Sequence, residues 1–294
     1  MSFPHIAYGT PRKLPKARTL PGRVVVLDVA FASRAGGVSF EKVTQPFIEQ
    51  LGDRLAMWID HHDHERHADF LGDPRFVLHT KAEHGACPEL VTPERVAWAG
   101  PVDTICCHVD FDGLCSAALW FGGGAEPSPG ADAAARAIDT RLGTPTERAA
   151  VLDRALRAQP RDDAMKGLMV RYLAEGAQDG QLLAQFREAS RKLLAKERES
   201  QRLATRYEVE AGVAVCDARV REHSYDKTTL LLLGQELAPI SVVHDETTVT
   251  AAARFDSGID LLRLLGLEGG MPTRVSVAAK ELPDVLARLR ASAP

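Results

Sequence analysis

Two short apolar runs in this chain break straight into histidine and aspartate, and any fold must bring those groups to water or to a cation. The first run is Ile105, Cys106 and Cys107, followed by His108, Val109, Asp110, Phe111, Asp112 and Gly113. His108, Asp110 and Asp112 alternate, so at a strand end all three would point to one side. Gly113 permits a tight turn, and residues 114–120 read as the opening of a helix. In the second run Trp58 and Ile59 feed Asp60, His61 and His62. Imidazole and carboxylate at the carboxyl ends of strands, beside a helix N-terminus, suit a divalent cation and phosphate. Two such ends in one domain point to one shared site.

The flanking sequence alternates β and α character. Residues 23–28 form a buried β-type run ending in Asp28, which reads equally as a ligand or as a cap for the next element. A helix is expected over 41–55, strands over 56–59 and 75–78, and a helical patch from Cys87 that Pro88 and Pro93 keep short. Acids at strand ends in such an alternation predict an α/β domain over 23–185, a parallel sheet with helices on both faces. Ahead of it, residues 1–22 are rich in proline and basic side chains and read as a lead-in or surface strap. A Gly- and Pro-rich loop spans 121–130, and 146–185 look mainly helical. Charge dense along a leucine stripe makes 186–208 a helical connector. Beyond it, short β runs (212–216, 229–233, 240–243, 247–253 and 273–277) with helices at 259–265 and 283–289 predict a smaller α+β domain over 209–294.

Composition narrows the function classes. A net charge of −4 disfavours a bulk electrostatic grip on long duplex nucleic acid. Five cysteines, odd in number and without paired CxxC spacing, indicate neither a disulfide frame nor a structural zinc site. Cys106, Cys107 and Cys115 are expected to pack as small apolar residues. No apolar run approaches the roughly 20 residues of a membrane span, and the N-terminus lacks a secretory core. A cytoplasmic, reducing setting is the expectation.

The candidate ligands are His61, His108, Asp110 and Asp112, with Asp28, Asp139 and His62 as further members. Mixed carboxylate and imidazole without thiolate favours Mn²⁺, or Mg²⁺ or Co²⁺, over structural zinc. So many donors exceed one tetrahedral zinc and suit two ions bridged by carboxylate, a clamp for phosphoester or phosphoanhydride hydrolysis. Two other patterns compete for the same residues. His62, His64 and His67 imitate a metallo-β-lactamase run, but Arg66 stands where that run needs Asp. Asp110, Asp112 and Gly113 fit a haloacid dehalogenase motif with Asp110 as covalent nucleophile, which leaves Asp60, His61 and His62 unexplained.

Asp60-His61-His62 after an apolar strand, together with His108-x-Asp110-x-Asp112-Gly113-x-x-Ser116-Ala117, resembles the DHH phosphoesterase superfamily. Residues 24–28 look like its second motif and Ala137-Ile138-Asp139-Thr140 like its fourth. The resemblance implies two metals held by Asp28, His61, His108, Asp110, Asp112 and Asp139, with His62 on the scissile phosphate and Asp60 orienting its neighbours. Arg254 and Ser257, then Gly269 and Gly270, resemble the associated substrate-binding domain. Arg254 would fork onto a phosphate, and the glycines would let backbone amides approach the ligand. In outline the likeness covers residues 23–280. It departs from the family in two places: the His108 motif follows Asp28 and the DHH element instead of preceding them, and Met271 stands where the glycine loop usually carries histidine. The implied substrate is a small phosphorylated nucleotide or short oligonucleotide, with a homodimer compatible. The competing implications are a catalytically silent nucleotide sensor and a family II-like pyrophosphatase.

Overall fold

The computed structural model describes residues 3–126 and 130–292. Val24, Val25, Val26 and Leu27 form β2 (Val24–Leu27), a strand buried on both faces. It is the middle of a five-stranded sheet with β1 (His5–Tyr8), β3 (Leu55–Asp60), β5 (Phe76–Leu78) and β6 (Thr104–Cys107), in the order β1-β6-β2-β3-β5. Every pairing in it is parallel. The two-residue β4 (Asp63–His64) stands outside this sheet. Alternation sends Val25, Leu27, Ile59, Ile105 and Cys107 into one core, shared with side chains of α2 (Pro93–Ala99), α3 (Phe111–Phe121), α4 (Ala131–Thr140), α5 (Glu147–Ala158) and α6 (Asp163–Ala174). Val24, Val26, Trp58 and Cys106 face a second core with Phe31 and with Phe40, Phe47 and Leu51 of α1 (Phe40–Leu51). The fold class is therefore the expected one, a parallel α/β sheet covered on both faces. Ala56 is left unpaired where Val24 faces Leu55 and Val25 faces Met57, a bulge in β3. Because the strands run parallel, their carboxyl ends fall on one side, and Asp28, Asp60 and His108 emerge there.

Two compact units divide the chain: Met1–Ala32 with Val38–Ser190, and Ser33–Gly37 with Arg191–Pro294. The second is built on a mixed sheet, β12-β10-β9-β8-β7, of β7 (Glu208–Glu210), β8 (Val213–Asp217), β9 (Ile240–His244), β10 (Thr248–Ala253) and β12 (Arg274–Ala278). Only β8 and β9 pair parallel. Leu203 of α8 (Leu193–Ala204) and Leu230 of α9 (Lys227–Gln235) pack on one face. Leu261 of α10 (Leu261–Leu265) and Leu289 of α11 (Leu282–Ser292) pack on the other. Gly269 and Gly270 form the short β11 (Gly269–Gly270).

Several expectations change. The N-terminal stretch is no loose lead-in: β1 is the edge strand, in register from His5 opposite Thr104 to Tyr8 opposite Cys107. The connector over 186–208 is two helices, α7 (Gly180–Arg191) and α8, instead of one, while the division between the units, after Ser190, falls within the expected connector. Residues 229–233 are helical in α9, because the Asp226 side chain accepts from Thr229 N–H and starts the helix there. Of the loop expected over 121–130, Pro127, Ser128 and Pro129 lie outside the described residues.

Candidate metal centre

Asp28 follows β2 in the left-handed region, with φ of 59°. Aspartate tolerates that conformation better than most side chains. Its N–H donates to Ile59 O at 2.8 Å, which fastens it to the neighbouring strand. The carboxylate is 1% exposed, and among the described residues neither oxygen has a hydrogen-bond partner. It caps nothing. A buried acid without donors is costly on its own and calls for a cation.

Asp60 closes β3, and His61 and His62 follow it. His62 Nδ1 lies 2.8 Å from Asp60 Oδ1; the carboxylate only accepts, so Nδ1 carries the proton. Burial pushes the Asp60 carboxyl up, and the His62 ring outweighs it, leaving the group below its ordinary value. His61 Nδ1 donates to His84 O at 2.9 Å, which turns Nε2 inward. That nitrogen is 3.2 Å from both Asp28 Oδ1 and Asp112 Oδ2.

The His108 motif is assembled differently from the expected alternation. The strand ends at Cys107, and Asp110 is the N-cap of α3, its Oδ1 accepting from Gly113 N–H at 3.1 Å. Asp112 projects from the first turn of α3, and its Oδ2 accepts from Cys87 N–H at 3.2 Å. The three groups therefore converge from a strand end and a helix N-terminus. Gly113 sits inside the helix and makes no turn; a Cβ there would come 2.7 Å from His108 O. His108 Nδ1 lies 2.9 Å from Asp110 Oδ2 and 3.7 Å from Asp28 Oδ2.

Three overlapping groups bring ligand atoms within 4.8 Å of one another: Asp28, His61 and His62; Asp28, His108 and Asp110; His61, Asp112 and Asp139. Asp28 belongs to the first two, offering Oδ1 to His61 and Oδ2 towards His108, and His61 links the first to the third. Burial and Asp110 push Asp28 up, but His108 and His61 outweigh them, so it titrates low. Burial and the adjacent Asp28 hold Asp112 well above the carboxylate range.

Lys81 is the participant that sequence reasoning missed. It is 2% exposed, its Nζ lies 2.8 Å from His61 Nε2, and it forms an ion pair with Asp139 Oδ2. Burial lowers the lysine pKa, and Asp139, Asp112 and Asp28 together more than reverse that. At His61, burial and Lys81 oppose a proton, and Asp112 and Asp28 outweigh them, raising its pKa to about 11. At 2.8 Å the two nitrogens share one hydrogen bond, so one of Nζ and Nε2 donates and the other accepts. The one sequence signal for Lys81 is its place three residues past β5, on the same side of the parallel sheet as Asp28, His61 and His108.

His64 and His67 pack beside the second core rather than forming a further ligand run. His64 is buried and its Nδ1 accepts from Arg66 N–H, while both rings pack edge-on against Phe31. All five cysteines are free and buried, as expected of packing residues. In the second unit Arg254 is exposed and forks onto Asp256 at 3.0 and 2.8 Å, and Ser257 Oγ donates to Arg254 O at 2.6 Å. Gly269 O accepts from Ser33 Oγ at 2.9 Å, and Gly270 has a φ of 131° that favours glycine.

No family model matches the sequence, and no curated protein matches it. Among solved structures the chain is similar to the pGpG-specific phosphodiesterase PggH from Vibrio cholerae, with a TM-score of 0.39 and 14% identity over 55% of this chain and 64% of that one. It is also similar to RecJ in complex with Mn²⁺ from Thermus thermophilus, with a TM-score of 0.35 and 15% identity over 61% of this chain and 33% of that one. The chain thus spans less than two thirds of either.

Proposed function

We propose that this chain is a metal-dependent phosphoesterase of the DHH kind. Its reaction is hydrolysis of phosphodiester or phosphoanhydride bonds in small nucleotides or short oligonucleotides. The observation that carries the reading is the Asp28 carboxylate, buried without a hydrogen bond among the described residues and flanked by His108, Asp110 and His61. Asp28, His108 and Asp110 would hold the cation, and their oxygen and imidazole donors suit Mn²⁺. When bound, such an ion supplies Lewis-acid charge and lowers the pKa of a coordinated water.

The chain's own residues account for the rest. Asp60 fixes the His62 ring through Nδ1, leaving Nε2 to face the substrate, where it would donate to a phosphate oxygen only when the ring carries its second proton. The N-terminus of α3, with Asp110 as its cap, adds positive dipole where the phosphate charge must be borne. Arg254 is a candidate for a non-reacting phosphate: its fork is already held by Asp256, and a phosphate would replace that carboxylate. Ser257, Gly269 and Gly270 are proposed to frame the same subsite.

A panel in Mn²⁺, with and without chelator, tests the reading: bis-p-nitrophenyl phosphate, pyrophosphate, linear and cyclic dinucleotides, and RNA of two to five nucleotides. Chelator-sensitive cleavage of a diester or dinucleotide is the expected result. Cleavage of pyrophosphate alone would point to a pyrophosphatase. Nucleotide binding with no turnover would replace the enzyme with a sensor.

A further inference from the structure

Lys81 sits where the two-ion expectation puts metal. Its Nζ contacts His61 Nε2 at 2.8 Å and pairs with Asp139 Oδ2, and His61 Nε2 is itself 3.2 Å from Asp112 Oδ2 and Asp28 Oδ1. An ion held by His61, Asp112 and Asp139 would draw on the same inward-facing atoms, which already converge within 4.8 Å. A divalent ion and an ammonium compete for those lone pairs and repel each other as like charges. The lysine is fastened at its backbone as well, since its N–H donates to Asp63 Oδ2 at 3.1 Å. With 2% exposure it has little open space to retreat into. The group of Asp28, His108 and Asp110 lies differently: His108 approaches the other Asp28 oxygen, Oδ2, at 3.7 Å.

We propose that the chain binds one divalent cation, at Asp28, His108 and Asp110, and that the Lys81 ammonium takes the position among His61, Asp112 and Asp139 where a second ion would sit. The inference rests on the phosphoesterase reading for its purpose, since it replaces half of a dinuclear clamp with a tethered single charge. Its geometry stands independently of that reading. Asp139 is then the counter-ion of Lys81 instead of a bridging ligand.

The test is ion stoichiometry on the 294-residue chain, by native mass spectrometry in excess Mn²⁺ and by electron paramagnetic resonance of the same sample. One Mn²⁺ per chain with an uncoupled six-line spectrum is expected. Lys81→Ala is expected to take up a second ion and show a spin-coupled signal. Where Lys81→Ala does not fold, Lys81→Gln, near in size and neutral, serves instead. Two ions or none in the wild-type chain, or a folded Lys81 variant that still binds one, would overturn the proposal. A one-ion protein that cleaves no phosphoester keeps this inference and removes the functional reading; a two-ion protein that cleaves them does the reverse.

Discussion

Asp28 concentrates the residue-scale physics of the site. Its left-handed backbone stores on the order of 1 kcal/mol of strain, and such strain persists where surrounding structure over-determines it. Here the determinant is the bond from its N–H to Ile59 O. Asp60 is fully buried, and its Oδ1 lies 2.8 Å from His62 Nδ1, the contact through which it is proposed to act. Asp60→Asn keeps the shape and removes the charge that fixes the ring's tautomer. Turnover should fall about 10- to 100-fold, the usual cost of losing such a supporting partner. Mn²⁺ stoichiometry should be unchanged, and unaltered turnover would show that Asp60 does not position His62. Asp28, His61, His62, His108, Asp110 and Asp112 were legible in the sequence because each follows an apolar run. Lys81 was not. A single lysine in a polar turn has no periodicity to mark it, and its role exists only through side chains from other elements.

At the scale of elements, helix starts were the hardest to read. The α3 boundary moves ahead of Gly113 because Asp110 is already a cap, so a residue read as a strand-end ligand also begins the helix. The 229–233 run is apolar almost throughout, and such a run has no period to separate strand from helix. Helix α8 shows how one acid secures an element. Glu199 is 4% exposed; its carboxylate takes Arg202 as a fork at 2.9 and 2.6 Å and accepts from Glu222 N–H at 2.9 Å. Arg202 foremost, then those backbone donors, lower its pKa from 4.5 to about 2 against burial. A pKa depressed in the folded state means stability that is present above the unfolded value and lost as pH falls. Thermal melts should therefore show the second unit weakening between pH 4.5 and about 2. Glu199→Gln should remove that part of the slope while lowering stability at neutral pH. An identical pH profile in the variant would contradict the assignment.

The whole molecule depends on its first strand more than composition suggests. β1 closes one edge of the parallel sheet, Phe3 stacks on Phe121 at 3.9 Å between centroids, and the Lys166 ammonium lies 5.1 Å from the Tyr8 ring centre. Deleting residues 1–8 removes that strand and uncovers the β6 edge. The loss should be about 2 kcal/mol or more, on the scale of one large side chain's burial. For a unit of this size that is about 4–8 °C in melting temperature by calorimetry. An unchanged melt would mean that the strand adds nothing to the fold.

By itself the sequence determined the α/β class, the parallel sheet and the gathering of acids and imidazoles at strand ends. Those follow from local rules: apolar runs bury, alternate faces segregate, and ligands placed after parallel strands share one side. Only the tertiary structure decided that Pro-rich residues beside 5–8 could still leave an edge strand, because strand pairing is chosen by a partner nearly a hundred positions away. It alone placed Asp112 on a helix and brought Lys81 to His61 and Asp139. Pairing between charges depends on distance in space, and 58 residues separate Lys81 from Asp139 in the chain.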